Sequence, residues 1–496
     1  MFPMGTPKFK PFPKDIIYNV YANCDPEAYA YISNEPFITV ESGVKPNNSL
    51  ANCTISIVSP KKKYFKTEGS LHPIGYGSRV YKKLSWGLKF EDKFLGRKAV
   101  KLRAMAADPS FVREKLSTEI YKAVGVPVQE GTYARLIINN DVYGLYSIVD
   151  SFSKKWVGAY VHGDEEKEIG ISYKMYTSVP NYPDFRYVGE DYTQYSRYQP
   201  DEYEDSQIDP EVEASKYEKI IEFIRLFDQW IQNYGEDMSE TAVTELAKFL
   251  NIESVLRILV VDTLILALDN FWIRMSNASV YYDPDKNKYI ILPYDFDKVL
   301  NGSSGDPMLD PENYIFDCFE WALQHEEQIE HFFTNHILNH PQIKQRYDVI
   351  LAKASRETFA GDVVSQYIQA CAELIREDVQ WNYDSLEQLA TTYDGQVNHY
   401  TYQDFENNIK DGAVLYKAGI VDNDSPFGVE QFVNERGNSC RTATQTVDLS
   451  SNENISDNDE VQAYIDDGSS TSSAFSITSK TSLLFVLSYF IFYLFF

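Results

Sequence analysis

The alternation of apolar and polar positions divides the chain into a strand-rich front half and a helix-rich back half. From residue 15 to residue 100, short runs of β-branched and aromatic residues are broken by Gly, Pro and Asn, a pattern that predicts strands. These runs are DIIYNVYA, PFITVE, NCTISIVS, RVYKKLSWGLKF and RKAVKLRA. A helix is predicted next in SFVREKLSTEIYKAV, because Asp108 and Pro109 suit a helix start and Gly125 suits its end.

The following segments predict one more hairpin and then helices. The run TYARLIINNDVYGLYSIVDSF predicts a hairpin whose turn is Asn139, Asn140 and Asp141. Residues 155–215 are acidic and rich in Tyr, and we expect either an exposed insertion or a crossing between the two lobes there. Helical spacing returns in SKYEKIIEFIRLFDQWIQNYG, SETAVTELAKFL and IESVLRILVVDTLILAL, and again within 321–380. The predicted class is α+β, an atypical protein-kinase-like two-lobe fold with a β-rich N-lobe carrying one long helix and a helical C-lobe.

Composition narrows the possible functions. The 496 residues include 46 Lys and Arg against 73 Asp and Glu, a net charge of −27, which argues against nucleic-acid binding because that requires a basic surface. A hydrophobic content of 44% is enough for a globular core. We expect an N-terminal β-rich region (1–60), an N-lobe with the acidic insertion (61–214), a helical C-lobe (215–450), a polar stalk (451–482) and an apolar tail (483–496).

The C-terminal tail predicts membrane attachment. The final LLFVLSYFIFYLFF is shorter than the roughly 20 residues of a bilayer-spanning helix. Small residues at Ser472, Ser473 and Ala474, a polar spacer and this apolar end are typical of a GPI-attachment signal, and a tail anchor is the alternative. We therefore expect a GPI-anchored protein at the cell surface, although the N-terminal MFPMGTPKFKPFPKD shows no signal-peptide core.

The five cysteines are too few for a disulfide scaffold. Cys24 can pair with Cys53 and Cys318 with Cys371, which leaves Cys440 over. No CxxC occurs, so a zinc site has no support from spacing.

The segment with the strongest chemical signal is DTLILALDNFWIRMSNASVYYDPDKNKYIILPYDFD. Asp269 follows an apolar helix, Asn277 precedes a predicted hairpin, and Asp295 and Asp297 follow that hairpin. Phosphoryl transfer uses such groups in this order, one Asp to orient a hydroxyl and an Asn and an Asp to hold divalent cations. The structural alternative is a helix-end turn, a glycan acceptor at Asn277 and a polar strand exit.

A kinase-like site also requires a Lys on a strand and a Glu on the helix. Lys89 and Lys101 lie on predicted strands, and Glu114 and Glu119 lie on the predicted helix. The two Glu residues are five positions apart, so only one faces inward, and we expect this to be Glu119 because apolar residues flank it.

The motifs of the front half resemble those of CotH-type proteins, which are spore-coat-H-like kinases with surface members in Mucorales fungi. The similar segments of the front half are KLRAMAADPSFVREKLSTEIYKAVGVP, LIINNDVYGLYSIVDSF and GSRVYKKLSWGLKF. In the back half, the motifs LDN, a later N, YY and PYDFD follow one another in the same order as in the family. The resemblance covers roughly residues 60–400. The resemblance implies an atypical kinase that binds ATP with Mg²⁺ or Mn²⁺. Asp269 then matches the catalytic Asp, Asn277 and Asp295 match metal positions, and Lys89 matches the family's strand Lys better than Lys101 does. The chain has neither HRD nor DFG, and Asp-Phe-Asp replaces the latter.

These observations leave three functional hypotheses. The first is a surface kinase that phosphorylates Ser or Thr of secreted or surface proteins. The second is a non-catalytic adhesin, invasin or spore-coat component that binds a host-cell receptor or coat protein, although the stretch YKMYTSVPNYPDFRYVGEDY lacks the Gly- and Asn-rich character of the family's receptor-binding stretch. The third is nucleotidyl transfer, which uses the same groups.

Overall fold

The front half of the chain forms a closed seven-stranded barrel. The computed structural model describes residues 2–41, 43–61, 64–177, 182–300, 315–319, 330–386, 388–414 and 425–450. The first nine strands are β1 (Ile17–Cys24), β2 (Phe37–Val40), β3 (Gly43–Pro46), β4 (Ala51–Val58), β5 (Tyr64–Pro73), β6 (Trp86–Phe94), β7 (Arg97–Arg103), β8 (Gly131–Ile138) and β9 (Asp141–Asp150). Their order around the barrel is β1-β4-β5-β6-β7-β9-β8, and β2 and β3 form a separate hairpin. Strands β1 and β4, which lie in the predicted N-terminal region, belong to the same barrel as the strands from β5 to β9.

The barrel closes by parallel pairing of β1 with β8, and all its other neighbours are antiparallel. Side chains alternate between the barrel interior and its surface, as strand geometry requires. On β4, Cys53, Ile55 and Ile57 are buried, whereas Thr54 and Ser56 are partly exposed. The predicted hairpin of β8 and β9 is confirmed, with its turn at Asn139 and Asn140.

Helix α1 (Pro26–Asn34) lies in the β1–β2 connection, and α2 (Arg113–Ala123) connects β7 to β8. Helix α2 begins at Arg113, three residues after the start of the predicted run at Ser110, because Asp108 forms a turn of its own. The Asp108 carboxylate accepts the amide and hydroxyl protons of Ser110 and the amide proton of Arg113. The left-handed φ of +57° at Phe111 also keeps this segment out of the helix.

A second sheet lies outside the barrel and contains four antiparallel strands. After α3 (Lys154–Val157) come β10 (Ile171–Met175), β11 (Tyr198–Tyr203), β12 (Ala278–Asp283) and β13 (Lys288–Pro293), in the order β11-β10-β12-β13. The prediction of an exposed insertion over 155–215 is therefore wrong, because this segment supplies half of the sheet. Phe185, Tyr195 and Tyr198 within it are buried, and the rings of Phe185 and Tyr198 stack at 5.6 Å.

The back half is helical, as predicted. Its helices are α4 (Glu218–Tyr234), α5 (Glu240–Ala247), α6 (Ile252–Ile265), α7 (Phe271–Arg274), α8 (Phe332–Leu338), α9 (Pro341–Glu357), α10 (Gly361–Leu386), α11 (Tyr402–Asn408) and α12 (Val429–Ala443). One apolar core joins α2 to these helices and to the second sheet. Helix α10 packs on β9, where Asn382 accepts hydrogen bonds from the Leu145 amide and from Lys83 Nζ. The observed class is mixed α+β.

Two disulfides cross-link the described residues. Cys24–Cys53 joins paired positions of β1 and β4, as predicted. The second bond is Cys318–Cys440, so the predicted partner of Cys318 is wrong. Cys371 is a free thiol on α10, where it hydrogen-bonds Tyr367, and burial raises its pKa to about 11.

The described part of the chain contains no helix that combines the length and apolar character needed to cross a bilayer. The predicted stalk and GPI-signal tail, 451–496, lie outside the described residues.

Candidate functional site

The site begins where α6 ends, and a buried carboxylate fixes the chain there. Leu266 adopts a left-handed φ of +47°, and the Ala267 amide donates to the Asp262 carbonyl at 3.0 Å. The fully buried Asp262 carboxylate accepts the hydroxyl proton of Tyr121 and, at 3.1 Å, the amide proton of Trp272. Asp262 thus ties α2 to the loop that carries Asp269.

Asp269 and Asn277 are brought together by this loop. Asn277 Nδ2 donates to the Asp269 carbonyl at 2.9 Å and lies 3.4 Å from Asp269 Oδ2. Asn277 has a φ of +48° and directly precedes β12, so the side-chain contact sits at the start of the β12–β13 hairpin. The Tyr294 amide donates to the Asn277 carbonyl at 2.8 Å, which places the end of the hairpin beside its beginning.

Asp295 and Asp297 follow β13 and face Arg103 of β7. Arg103 Nη2 contacts Asp295 Oδ1 and lies 3.6 Å from Asp297 Oδ2, while Arg103 Nε donates to Glu114 Oε1 at 2.7 Å. Between the two aspartates, Phe296 is buried and stacks on Tyr121 with ring centroids 4.6 Å apart. Helix α2 therefore positions this segment through packing as well as through charge.

The carboxylates of the site differ in their electrostatic surroundings. Burial raises the pKa of Asp269, which Lys298 Nζ at 3.8 Å and Arg274 Nε at 3.9 Å partly oppose. Desolvation and then the Asp295 charge raise the pKa of Asp297 to about 7, and solvent screens this rise because 48% of the side chain is exposed. Burial also disfavours charge on Asp295, but Arg103 outweighs it and lowers the pKa of that carboxyl.

Lys101 lies on the same outer face of β7 as Arg103, two residues away, and both line a small cleft. Burial, followed by the charges of Lys174 and Arg103, lowers the pKa of Lys101 to about 8. Within the described residues Lys101 Nζ makes no ion pair, and it lies 6.0 Å from the ring centroid of Tyr294. The cleft is lined by Lys101, Arg103, Glu114, Thr118, Gln129, Val149, Tyr294, Asp295 and Phe296.

Two residues predicted to bind a nucleotide, Lys89 and Glu119, do not line this cleft. Lys89 is exposed on β6 and does not line the cleft. Glu119 contacts Lys14 and lies 3.6 Å from Lys122, on a different face of α2 from Glu114. The structure thus places Glu114, rather than Glu119, beside the charged residues of β7.

Sequence reasoning missed Arg103, Lys298 and Gln129. Arg103 could have been found, because a strand directs Lys101 and the second residue after it to the same face. Gln129 lines the cleft, and its Nε2 is buried without a hydrogen-bond acceptor in the described structure. Local periodicity contains no signal for Gln129, because this residue lies outside the helices and strands, in the segment before β8.

Comparisons with known proteins agree with the motif resemblance. Invasin CotH2 and Invasin CotH3 of Rhizopus delemar are each 24% identical to this chain, over 66% and 61% of it and over 52% and 48% of their own lengths. The chain therefore spans about half the length of these relatives. Among solved structures, the Helicobacter pylori proinflammatory kinase CtkA aligns with 61% of this chain and 94% of its own at 10% identity, and its TM-score of 0.22 is too low to support an argument.

The assignment of the chain to a family rests on its match to a family model. The model described as CotH kinase protein matches residues 70–410, which is well over half of the chain and includes the barrel strands from β6 onward, the second sheet and Asp269 to Asp297. The chain belongs to the CotH kinase protein family.

Proposed function

We propose that this protein is an ATP-dependent kinase that transfers phosphate to Ser or Thr of secreted or surface proteins. The observation that supports this proposal best is the convergence of Asp269, Asn277 and Asp295 at one end of a hairpin, next to a cleft that contains Lys101. The proposal includes the two-lobe arrangement of a kinase, with the barrel and α2 as the smaller lobe and the helical half as the larger one.

The donor groups suit a divalent cation. Carboxylate and amide oxygens are the ligands that Mg²⁺ and Mn²⁺ prefer, and Asn277, Asp295 and Asp297 offer them within one site. The Arg103 guanidinium already lies against Asp295, so this position attracts positive charge. These three side chains would hold the cation, which when bound neutralises phosphate oxygens.

The remaining roles follow from charge and position. Lys101, which has no carboxylate partner among the described residues, would bind phosphate oxygens at the cleft. Glu114 holds Arg103 on β7 and thereby orients the cationic side of the site. Asp269 would accept or orient the proton of the attacking hydroxyl, and Asn277 holds its backbone and side chain in place.

The first experiment measures phosphate transfer from labelled ATP by the full chain with Mn²⁺ or Mg²⁺. We expect Asp269→Asn and Asp295→Asn each to lower transfer by about 100-fold or more, because they remove the base and a metal ligand. Circular dichroism and ATP-dependent melting separate loss of chemistry from loss of fold. Unchanged transfer in both folded variants would contradict the proposal, and a wild-type chain that neither binds ATP nor transfers phosphate would favour a non-catalytic adhesin.

Two matched pairs of variants test the cleft itself. Lys101→Met should reduce transfer strongly, whereas Lys89→Met should leave it near wild type, because only Lys101 lines the cleft. Glu114→Gln should reduce transfer more than Glu119→Gln, because only Glu114 holds Arg103. The reverse order within either pair would refute our placement of the nucleotide.

The proposal also includes a surface location. The related Rhizopus proteins are named invasins, and the apolar tail of this chain has the pattern of a GPI signal. A GPI-anchored surface kinase could meet secreted substrates or a host-cell receptor. Release of the protein from intact cells by a phosphatidylinositol-specific phospholipase tests the anchor, and retention after treatment would argue against it.

A further inference from the structure

A second group of potential ligands lies at the far end of the hairpin that carries Asn277. Asp283 is the last residue of β12, Asp285 lies in the turn before β13, and His162 ends the helical segment that begins with α3. One ligand atom from each of these three residues lies within 4.8 Å of the other two. Over the part of the chain that the structure describes, no other trio of His, Cys, Asp or Glu meets this condition.

Asp283 is the unusual member of this group. Only 2% of the surface of Asp283 is exposed to solvent. Within the described structure, the only hydrogen bond to its carboxylate comes from the Asp285 amide, at 3.0 Å. A buried carboxylate normally accepts several hydrogen bonds or pairs with a cation, so the geometry leaves Asp283 with unused capacity for a positive charge.

His162 is held in an orientation that suits a ligand. Its Nε2 lies 2.7 Å from the hydroxyl of Tyr281, which also accepts the Gly170 amide proton at 3.1 Å. The opposite nitrogen, Nδ1, faces Asp285 Oδ2 at 3.9 Å, which is too long for a hydrogen bond. Metal-binding imidazoles are typically oriented in this way, by a hydrogen bond on the nitrogen that does not bind the metal.

Lys167 is a cation that competes with a metal at this position. Its Nζ lies 2.9 Å and 3.1 Å from the two carboxylate oxygens of Asp285, and 36% of its side chain is exposed. Because this lysine lies in an exposed loop, it can move away from Asp285 at little structural cost. A metal at this position would therefore bind more tightly when the lysine charge is removed.

We propose that His162, Asp283 and Asp285 form a binding site for a divalent transition metal, with Zn²⁺ as the best match. One imidazole nitrogen and two carboxylate oxygens suit Zn²⁺ or Mn²⁺ better than Ca²⁺, which prefers oxygen ligands alone. The six residues of β12 span roughly 20 Å, so this site is separate from the candidate active site at the other end of the strand. Its role is structural, because it fastens the hairpin turn to the helical segment after β9.

The test is a calorimetric titration of the full chain with Zn²⁺ in the absence of nucleotide. We expect one tight equivalent in the wild type and in Asp295→Asn, which separates this site from the candidate active site. His162→Gln and Asp283→Asn should each weaken binding at least tenfold, and Tyr281→Phe should weaken it by a factor of 10 to 100. Lys167→Gln should strengthen binding severalfold, a gain that misfolding cannot produce.

Three results would overturn the proposal. The first is the absence of a tight equivalent of Zn²⁺ in both the wild type and Lys167→Gln. The second is loss of that equivalent in Asp295→Asn, which would assign the metal to the candidate active site. The third is unchanged affinity in folded His162→Gln and Asp283→Asn variants, with folding checked by circular dichroism.

Discussion

Asp262 should make the stability of this protein depend on pH between about 4 and 7. The carboxyl is fully buried, and burial raises its pKa to about 7 despite the hydrogen bonds from Tyr121 and Trp272. In the unfolded chain the same group has its ordinary pKa near 3.9. Across this interval the folded state therefore holds a proton that the unfolded state has released, so the free energy of unfolding falls as pH rises.

The magnitude follows from the size of this change. A pKa that moves from near 3.9 to about 7 corresponds to about 4 kcal/mol, reached gradually between pH 4 and pH 7 and constant outside that range. Asp262→Asn removes the titrating group but keeps its shape. In the variant, Oδ1 still accepts the Trp272 amide proton and Nδ2 donates to the Tyr121 hydroxyl, so the change in hydrogen bonding costs about 1 kcal/mol and is independent of pH.

The assay is urea unfolding of wild type and Asp262→Asn at intervals from pH 4 to pH 8. Relative to wild type, the variant should gain about 4 kcal/mol of stability over this interval. Tyr121→Phe is an internal control, because it removes a hydrogen bond that favours the charged carboxylate and should extend the pH dependence to higher pH. If the wild-type and Asp262→Asn curves run parallel over the whole range, the reasoning is refuted.

Two further predictions concern connections between distant parts of the chain. The double variant C318A/C440A should lose up to about 5 kcal/mol of unfolding free energy, because the disulfide closes a loop of 122 residues. Peptide mass mapping under non-reducing conditions should find Cys318 bonded to Cys440, and a bond from Cys318 to Cys371 would contradict this. Arg113→Met should lower the free energy of unfolding by about 3–5 kcal/mol, because it leaves the buried Asp108 carboxylate without the guanidinium that pairs with it. Chemical denaturation measures this change, and a loss below about 1 kcal/mol would contradict the prediction.

Local sequence signals were sufficient for much of the candidate site. Asp269, Asn277 and Asp295 follow one another around a single helix end and hairpin, so short-range geometry alone brings them together. The hairpin of β12 and β13 was predictable because both strands are continuous apolar runs joined by the turn DPDKNK.

The missed features depend on contacts between residues far apart in the chain. Strand β10 pairs with β12, which begins more than 100 residues later, and its acidic, Tyr-rich surroundings conceal its alternation. The partner of Cys318 was wrong for the same reason, because α12 reaches Cys318 only through tertiary packing. The apolar neighbours of Glu119 gave no sign of its partner, because Lys14, which contacts Glu119, comes from the distant N-terminal segment.

The parallel pairing of β1 with β8 has a consequence for how the chain reaches its native state. Tyr18 lies opposite Ala134 in this pairing, so a contact between residues more than 100 positions apart must form before the barrel closes. During synthesis, β1 leaves the ribosome before β8, so one edge of β1 remains unpaired until β8 has emerged. Production of this protein should therefore benefit from slow elongation or from chaperones that cover exposed strand edges, and fragments that end before residue 131 should aggregate.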